Sequence, residues 1–231
     1  MTRRGIIGLG SLTRAQGEGQ GMLRVLIVDD HAVVRDGVKR IFDERPGEAV
    51  FGEASTAREA LSMVRNENWD AVVLDISLGA RNGLEVLKEL KHIRPRLPVL
   101  IFSMHSEEQY ARRAFKAGAG GYVTKGSSRE ELVQAIIKVA SGGKYVSSTL
   151  AENLVVDIER GTDRPPHEAL SDREFEVMGL IASGKTVKEI AELLSLSDKT
   201  ISTYRARILE KMDMKTSAEL THYAIQNGLV E

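Results

Sequence analysis

The chain has 231 residues, of which 42% are hydrophobic and 28% charged, a balance typical of a globular protein with about two domains. Its formal net charge of −1 excludes a strong overall attraction to nucleic acid or to membrane surfaces. The sequence contains no cysteine, which excludes disulfides and thiolate nucleophiles and suits a cytoplasmic protein. No apolar run approaches the roughly 18 residues that span a bilayer, so we expect no membrane partner.

Residues 1–21 are rich in glycine and arginine, and we predict a disordered N-terminal extension. From residue 24 onward, short apolar segments alternate with segments of helical periodicity. The predicted strands are 24–28, 49–54, 70–75, 98–103 and 121–123, and the predicted helices are 31–44, 56–66, 83–93, 107–118 and 128–143. Continuously apolar strands are typical of a parallel sheet covered on both faces. Residues 22–143 are therefore predicted to form a five-stranded, doubly wound α/β domain.

The β pattern stops after residue 143. Residues 144–169 are predicted to form a helix at 148–160 and a polar linker that contains two consecutive prolines. Residues 170–231 show helical periodicity only, with helices predicted at about 172–183, 186–193, 198–213 and 216–227. The second domain is thus predicted to be small and all-α.

Polar side chains cluster at the predicted carboxyl ends of the strands, where open parallel sheets bind their ligands. The first strand ends in Asp29 and Asp30, and the third ends in Asp75. The fourth strand ends in Ser103, and Lys125 follows the fifth. We therefore expect three carboxylates, a hydroxyl and an amine to meet at one rim of the sheet.

Three neighbouring carboxylates repel each other unless a cation compensates them. A hard divalent ion with oxygen ligands fits this need, so the sequence predicts a Mg²⁺ site. The predicted ligands are three side chains and one backbone carbonyl: Asp29, Asp30, Asp75 and the carbonyl of Ser77. Because an oxygen-rich site favours Mg²⁺ over metals that prefer imidazole, His31 and His105 are expected to flank the site without binding the metal.

This arrangement suits phosphoryl transfer, in which positioning and charge neutralisation supply most of the catalysis. Asp75 would be the nucleophile and would form an aspartyl phosphate. Lys125 would neutralise phosphoryl oxygens, and Ser103 would donate a hydrogen bond to one of them. No second general acid or base is evident beside Asp75, so we expect no enzyme with turnover, and a Mg²⁺-dependent phosphatase is the weaker alternative.

Four motifs in this order resemble the receiver domain of two-component response regulators: VDD at 28–30, LDIS at 74–77, FSMH at 102–105 and GYVTK at 121–125. The resemblance implies a flavodoxin-like fold and a Mg²⁺ cofactor. It also implies that Asp75 accepts phosphate from a sensor histidine kinase or a phosphotransfer protein. Ser103 would then move toward the phosphate, and Tyr122 would act as a switch by turning inward.

One loop departs from the receiver pattern. The family usually has a proline four residues after the acceptor, whereas this chain has Gly79 followed by Ala80. Glycine leaves a loop less rigid than proline does, so loop rigidity and dephosphorylation rate are expected to differ. This departure also supports an alternative, in which the receiver is a phosphorylation-independent dimerisation module of a constitutive DNA-binding protein.

Each pocket residue also has a purely structural interpretation. Asp30 and Ser103 could cap helices, because aspartate and serine are favoured at helix N-termini. Lys125 could be an ordinary surface lysine, and Tyr122 could simply pack in the core. The structure distinguishes between these interpretations.

In the C-terminal part, TVKEIAELL is followed by a short turn and by the helix DKTISTYRARILEKM. Ile201, Tyr204, Ile208 and Met212 fall on one helical stripe and are predicted to pack inward. The opposite face is mostly short and polar, with basic residues at its edges, which would let the helix backbone approach the major groove closely.

The segments LSDREFEV, IAELLSLSDKTIS and ILEKM resemble the LuxR-type helix-turn-helix of NarL/FixJ-class response regulators. The resemblance implies that the second helix reads a double-stranded DNA operator, usually as a homodimer. The residues expected to face bases are Ser202, Thr203 and Ala206. The residues expected to contact phosphates or a guanine edge are Lys199, Arg205 and Arg207, with further backbone contacts from Lys188 and Lys211.

Residues 166–231 carry eight Lys or Arg against eleven Asp or Glu, so a single copy is expected to bind DNA weakly. A dimer doubles the contacts and raises the effective concentration, which makes phosphorylation-controlled dimerisation physically sensible. A protein-binding helical bundle is the alternative for this domain. The sequence as a whole predicts a DNA-binding transcriptional regulator controlled by a phosphorelay.

Overall fold

The computed structural model describes residues 22–230 except 44, 46, 149 and 153–164. The predicted extension at 1–21 and most of the helix predicted at 148–160 lie outside the described residues. Within the described part of the chain, no helix combines the length and the hydropathy needed to cross a membrane.

The N-terminal domain contains one five-stranded parallel sheet, as the sequence predicted. Its strands are β1 (Leu23–Val28), β2 (Ala49–Ala54), β3 (Ala71–Leu74), β6 (Val99–Ser103) and β7 (Gly121–Thr124). Their spatial order is β2-β1-β3-β6-β7, and every neighbouring pair is parallel. Strand order reverses beside β1, between β1 and β3, which places the carboxyl ends of these two central strands at the usual ligand-binding position.

Five helices cover the two faces of this sheet: α1 (Ala32–Ile41), α2 (Ala57–Asn66), α3 (Gly83–Ile93), α4 (Glu107–Lys116) and α5 (Arg129–Ala140). Successive residues of a strand point to opposite faces. Accordingly, Leu26 and Val28 pack in one hydrophobic cluster, and Val25 and Ile27 pack in the other. Both faces of β1 are therefore buried from Val25 to Val28, which explains why this part of its sequence is continuously apolar.

The sequence did not predict a short hairpin after β3. Its strands are β4 (Ser77–Leu78) and β5 (Arg81–Asn82), and they pair antiparallel around Gly79, whose φ is +55°. Two-residue strands carry too little periodicity to be recognised. Two helices were also predicted to extend too far. The predicted ends were residues 44 and 143, whereas α1 ends at Ile41 and α5 at Ala140.

The C-terminal domain consists of four helices, preceded by a 3₁₀ turn at Pro166–Ala169 inside the predicted linker. The helices are α6 (Asp172–Ala182), α7 (Val187–Leu193), α8 (Asp198–Lys211) and α9 (Ser217–Gln226). Capping boxes at Ser171 and Thr186 begin α6 and α7. The domain packs against the sheet domain through α6, where the rings of Tyr110 and Phe175 meet edge to face at 5.2 Å.

Candidate functional site

The backbone of the central strands brings Asp29 and Asp75 together. The Asp75 amide donates to the carbonyl oxygen of Val28 at 2.9 Å, which continues the ladder between β1 and β3. Both carboxylates are buried, with 2% and 3% of each residue exposed, whereas Asp30 is exposed at the rim. The predicted convergence of three carboxylates is thus present, and we call this group the acidic pocket.

Lys125 lies inside the acidic pocket. Its Nζ donates to Asp75 Oδ2 at 2.8 Å and lies 2.7 Å from Asp29 Oδ2, and only 9% of its side chain is exposed. Burial alone lowers the pKa of Lys125, but the carboxylates of Asp75 and Asp29 outweigh this effect and raise the pKa above its ordinary value. Lys125 is therefore a charged member of the pocket and not a solvated surface lysine.

One positive charge does not compensate the pocket fully. Burial raises the pKa of Asp75 above its ordinary value, although Lys125 opposes the shift. Asp75 Oδ1 is buried and has no hydrogen-bond partner among the described residues. Because an uncompensated buried oxygen is costly, this atom requires a further cation or donor.

The donor set fits a hard divalent cation. Asp29, Asp30, His31 and Asp75 each offer one ligand atom, and these atoms all lie within 4.8 Å of one another. The carboxylate oxygens of this cluster are the kind of ligand that Mg²⁺ prefers. The structure brings His31 into the cluster, where its Nδ1 lies 2.7 Å from Asp30 Oδ1.

The helix-cap interpretations of Asp30 and Ser103 fail. The N-cap residue of α1 is His31, without a side-chain cap bond, and the N-cap residue of α4 is Ser106. Ser103 is instead fully buried at the end of β6, where its Oγ accepts a hydrogen bond from the His105 amide at 3.3 Å.

Tyr122 is fully buried, and its hydroxyl donates to the carbonyl oxygen of His105 at 2.9 Å. Burial raises the pKa of Tyr122 far above its ordinary value, so the hydroxyl stays protonated and remains a donor. The His105 ring lies 3.2 Å from Ser77 Oγ through Nε2 and stacks on Tyr110 at 4.3 Å. Burial lowers the pKa of His105, so its ring is neutral at pH 7. His105 thus links the loop after Asp75 to the packing around Tyr122.

A second candidate site lies on α8. Ile201, Ile208 and Met212 are buried as predicted, whereas Tyr204 is only half-buried. The opposite face is open to solvent, and the exposed residues include all six that were predicted to contact bases, phosphates or guanine: Lys199, Ser202, Thr203, Arg205, Ala206 and Arg207. The exposed face is consistent with a groove-binding helix.

A shallow cleft of about 340 Å³ lies at the N-terminal end of this face. It is lined by Lys199, Thr203 and Arg207, which the sequence singled out, and by Ser197, Thr200 and Tyr204, which it did not. Tyr204 was assigned to the interior because its position follows the apolar stripe, but its half-exposed ring reaches the cleft.

Three predicted contact residues have partners within the chain or lie apart. Lys211 Nζ binds Glu174 Oε2 at 2.6 Å, and Arg205 Nε donates to Ser217 Oγ at 2.7 Å. Lys188 is exposed on α7, away from the cleft lining. The contribution of these residues to DNA contacts stays a prediction.

Comparisons with known proteins find a matching family for each domain. Residues 25–137 match the family described as response regulator receiver domain, and residues 168–224 match the family described as bacterial regulatory proteins, luxR family. Response regulator UvrY of Escherichia coli K12 is 37% identical over 209 residues, which cover 90% of this chain and 96% of UvrY. Both resemblances that the sequence predicted are therefore confirmed.

Two solved structures are also similar. A two-component response regulator of the LuxR family from Aurantimonas sp. SI85-9A1 is 39% identical, with a TM-score of 0.55 over 59% of this chain and 98% of that chain. The Salmonella typhimurium response regulator RcsB has a TM-score of 0.54 over 88% of this chain and 98% of that chain, at 22% identity, which shows a shared fold. The chain belongs to the NarL/FixJ-class two-component response regulators, in which a receiver domain is joined to a LuxR-type DNA-binding domain.

Proposed function

We propose that Asp75 is the phosphoacceptor and that a sensor histidine kinase or a phosphotransfer protein is the donor. The observation that carries this proposal is the asymmetry of the Asp75 carboxylate. Lys125 holds Oδ2 at 2.8 Å, while the buried Oδ1 has no partner among the described residues. Oδ1 is therefore the oxygen available to a phosphorus atom.

The transfer makes one bond and breaks one. Oδ1 of Asp75 bonds to phosphorus, the N–P bond of the donor phosphohistidine breaks, and the departing imidazole nitrogen keeps the electron pair and takes up a proton. Lys125 remains beside the phosphoryl oxygens and neutralises part of their charge. Ser103 Oγ would rotate from the His105 amide to donate to a phosphoryl oxygen.

The same pocket would hold Mg²⁺ through Asp29, Asp30, Asp75 and the backbone carbonyl of Ser77. When bound, the ion would supply the positive charge that the second buried carboxylate requires. His31, which pairs with Asp30 at the rim, would position that carboxylate without being needed as a ligand.

For the second domain we propose sequence-specific DNA binding through the exposed face of α8. Ser202, Thr203 and Ala206 would face bases, and Lys199 and Arg207 at the cleft would contact phosphates or a guanine edge. Because the domain is net acidic, we propose that phosphorylation favours a homodimer whose two recognition helices bind one operator together.

The test combines phosphorylation with DNA binding. Purified chain is incubated with Mg²⁺ and ³²P-labelled acetyl phosphate, alongside Asp75→Asn and the exposed control Asp43→Asn. We expect label on the wild type and on the control and none on Asp75→Asn, so a labelled Asp75→Asn refutes the acceptor. An operator sequence is then selected from random DNA, and the affinity of the chain for it is measured with and without the phosphodonor. Equal affinities support the alternative, a phosphorylation-independent dimerisation module.

A further inference from the structure

The first turn of α6 buries an unusual set of charges. Asp172, Arg173, Glu174 and Glu176 are each less than 9% exposed, although charged residues at a helix start are normally solvated. Arg113 Nη1 on the receiver donates to the Leu170 carbonyl oxygen at 2.9 Å, which helps to hold this turn against the sheet domain. Domain packing therefore contributes to this burial.

Arg173 joins the two domains at a position close to the acidic pocket. Its Nη2 lies 3.4 Å from the carbonyl oxygen of Gly79 and 3.2 Å from that of Ala80. Its Nη1 donates to Glu176 Oε2 at 2.7 Å, and the same oxygen accepts from the Asn82 amide at 2.9 Å. A guanidinium of the C-terminal domain thus binds the turn of the receiver hairpin directly, and it reaches Asn82, the last residue of the hairpin, through Glu176.

The turn that Arg173 binds also borders the acidic pocket. A Cβ added to Gly79 would lie 3.7 Å from Asp30 Oδ2, so the turn packs directly on that carboxylate. The hairpin begins at Ser77, whose carbonyl is a proposed metal ligand, and the Gly83 amide closes it on the Ile76 carbonyl at 2.6 Å. The Gly79–Ala80 turn therefore has the acidic pocket on one side and Arg173 on the other.

Arg173 also reaches the helix-turn-helix. Its Nη2 lies 3.3 Å from the carbonyl oxygen of Leu194, the C-cap residue of α7 that precedes the turn into α8. The face of α8 itself stays exposed in this arrangement. Docking of α6 consequently fixes the orientation of the DNA-binding domain without covering its recognition helix.

We propose that Arg173 reads the occupancy of the acidic pocket through the Gly79–Ala80 turn, an inference that rests on the proposed phosphorylation of Asp75. Ligands that bind Asp30 and the Ser77 carbonyl shift the turn, and the Arg173 contacts, at the long end of the hydrogen-bond range, break. A buried guanidinium that loses acceptors is strongly destabilised, so α6 undocks. Because coupling is reciprocal, docking in turn lowers the affinity of the pocket for its ligand.

The experiment measures docking in the full chain by pulsed electron paramagnetic resonance. The sequence has no cysteine, so Arg58→Cys and Glu192→Cys, both exposed, carry the only two spin labels. Distances are recorded with Mg²⁺ alone and with Mg²⁺ plus beryllofluoride, and ¹⁹F resonance reports the bound beryllofluoride. We expect a narrow distance distribution with Mg²⁺ alone and a broader, shifted one after beryllofluoride binds.

Three variants test the role of Arg173. Arg173→Lys keeps a cation beside Glu176 but cannot span the turn. Gly79→Ala leaves every residue of the C-terminal domain in place and strains the turn at φ +55°. Lys88→Ala, the control, removes the exposed partner of the buried Asp172 in an interdomain ion pair that does not touch the turn.

We expect the control to keep its response to beryllofluoride. Arg173→Lys and Gly79→Ala should respond less than the wild type or be open already, and an open variant should bind beryllofluoride roughly 5- to 150-fold more tightly. The inference is overturned if the wild type binds beryllofluoride and its spin-label distance does not change. It is also overturned if Arg173→Lys responds fully, or if an open variant binds beryllofluoride with wild-type affinity. Absence of bound beryllofluoride in the wild type contradicts the proposed phosphorylation site instead.

Discussion

Lys125 Nζ lies 2.8 Å from Asp75 Oδ2, although the two residues are 50 positions apart in the sequence. The contact joins the carboxyl end of β3 to the loop after β7, across the intervening strand β6. Lys125 opposes the rise that burial causes in the pKa of Asp75, and the other Asp75 oxygen has no hydrogen-bond partner among the described residues.

Lys125→Ala removes a basic group that contacts both buried carboxylates. Asp75 and Asp29 then repel each other without compensation, so we expect phosphoryl acceptance to fall at least tenfold. The pKa of Asp75, already raised by burial, should rise further. Stability of the variant should therefore be retained at low pH and lost as the pH rises through that pKa. Thermal melts from pH 4 to 8 check this, and an unchanged pH profile relative to the exposed control Lys185→Ala contradicts it.

Mg²⁺ should stabilise the wild type by binding only the folded acidic pocket. At a Mg²⁺ concentration of one hundred times the dissociation constant, the free energy of unfolding should rise by about 2.7 kcal/mol. This stabilisation is visible as a rise in melting temperature. Burial raises the pKa of Asp75, which means that the charged carboxylate is unfavourable in the folded protein. Because Asp75→Asn removes this charge, the variant without metal should melt at a higher temperature than the wild type at neutral pH. It should also respond less to Mg²⁺. A wild type that does not respond to the metal refutes the predicted site.

Gly83→Ala should distort the loop that carries the acceptor. An added Cβ would lie 2.0 Å from the backbone oxygen of Asp75 and 2.7 Å from Ile76 Cα, so the backbone that carries the acceptor would have to shift. We expect a loss of more than about 2 kcal/mol in unfolding free energy. Gly37→Ala is the matched control because no atom lies within 4 Å of its added Cβ on α1. The unfolding free energy of that variant, measured by chemical denaturation, should rise by up to about 1 kcal/mol.

Substitutions of Lys211 and Arg207 should affect different properties, the first stability and the second DNA binding. Lys211→Ala leaves the buried Glu174 without its 2.6 Å partner, so we expect a loss of about 1–3 kcal/mol in stability. Arg207→Ala removes an exposed cation of the α8 cleft, so we expect unchanged melting, weaker DNA binding and a smaller salt slope. The opposite pattern, measured by melting and fluorescence anisotropy, would reverse the two assignments.

His167 should make stability depend on pH. Burial lowers the pKa of His167 to about 4, Arg113 and Arg112 lower it as well, and Glu168 opposes them. Protons therefore bind the unfolded chain more readily between about pH 6.5 and 4, so stability should fall by about 1–3 kcal/mol as the pH falls through this window. His167→Gln, which can still hydrogen-bond Tyr223, should lose this component. Equal slopes in both proteins would exclude His167 as its source.

The sheet was predictable because β1 from Val25 onward and the whole of β3 are buried on both faces and carry no polar residue before Asp29 and Asp75. Their parallel order then brings the carboxylates together by topology alone, and the same rule placed Lys125 nearby. The roles of these residues and the domain boundaries stay predictions. The contribution of His31 could have been suspected only from its position directly after the two aspartates.

The packing between the domains was not predictable from periodicity. Arg173 and Glu176 have the composition of a solvated first helical turn, and no local pattern distinguishes that from a turn buried against another domain. The partners of Arg173 are backbone carbonyls, which leave no trace in the sequence. The glycine at position 79 was the one available signal, since its departure from the receiver pattern marks the turn that Arg173 binds.

The contact between the receiver and the C-terminal domain includes several ion pairs, among them Lys88 with Asp172 and Lys116 with Glu168. Water solvates such groups well after the domains separate. Rising ionic strength screens these pairs and should shift the protein toward the open form before any signal arrives. The salt concentration of the cell would thus set the background activity of the regulator.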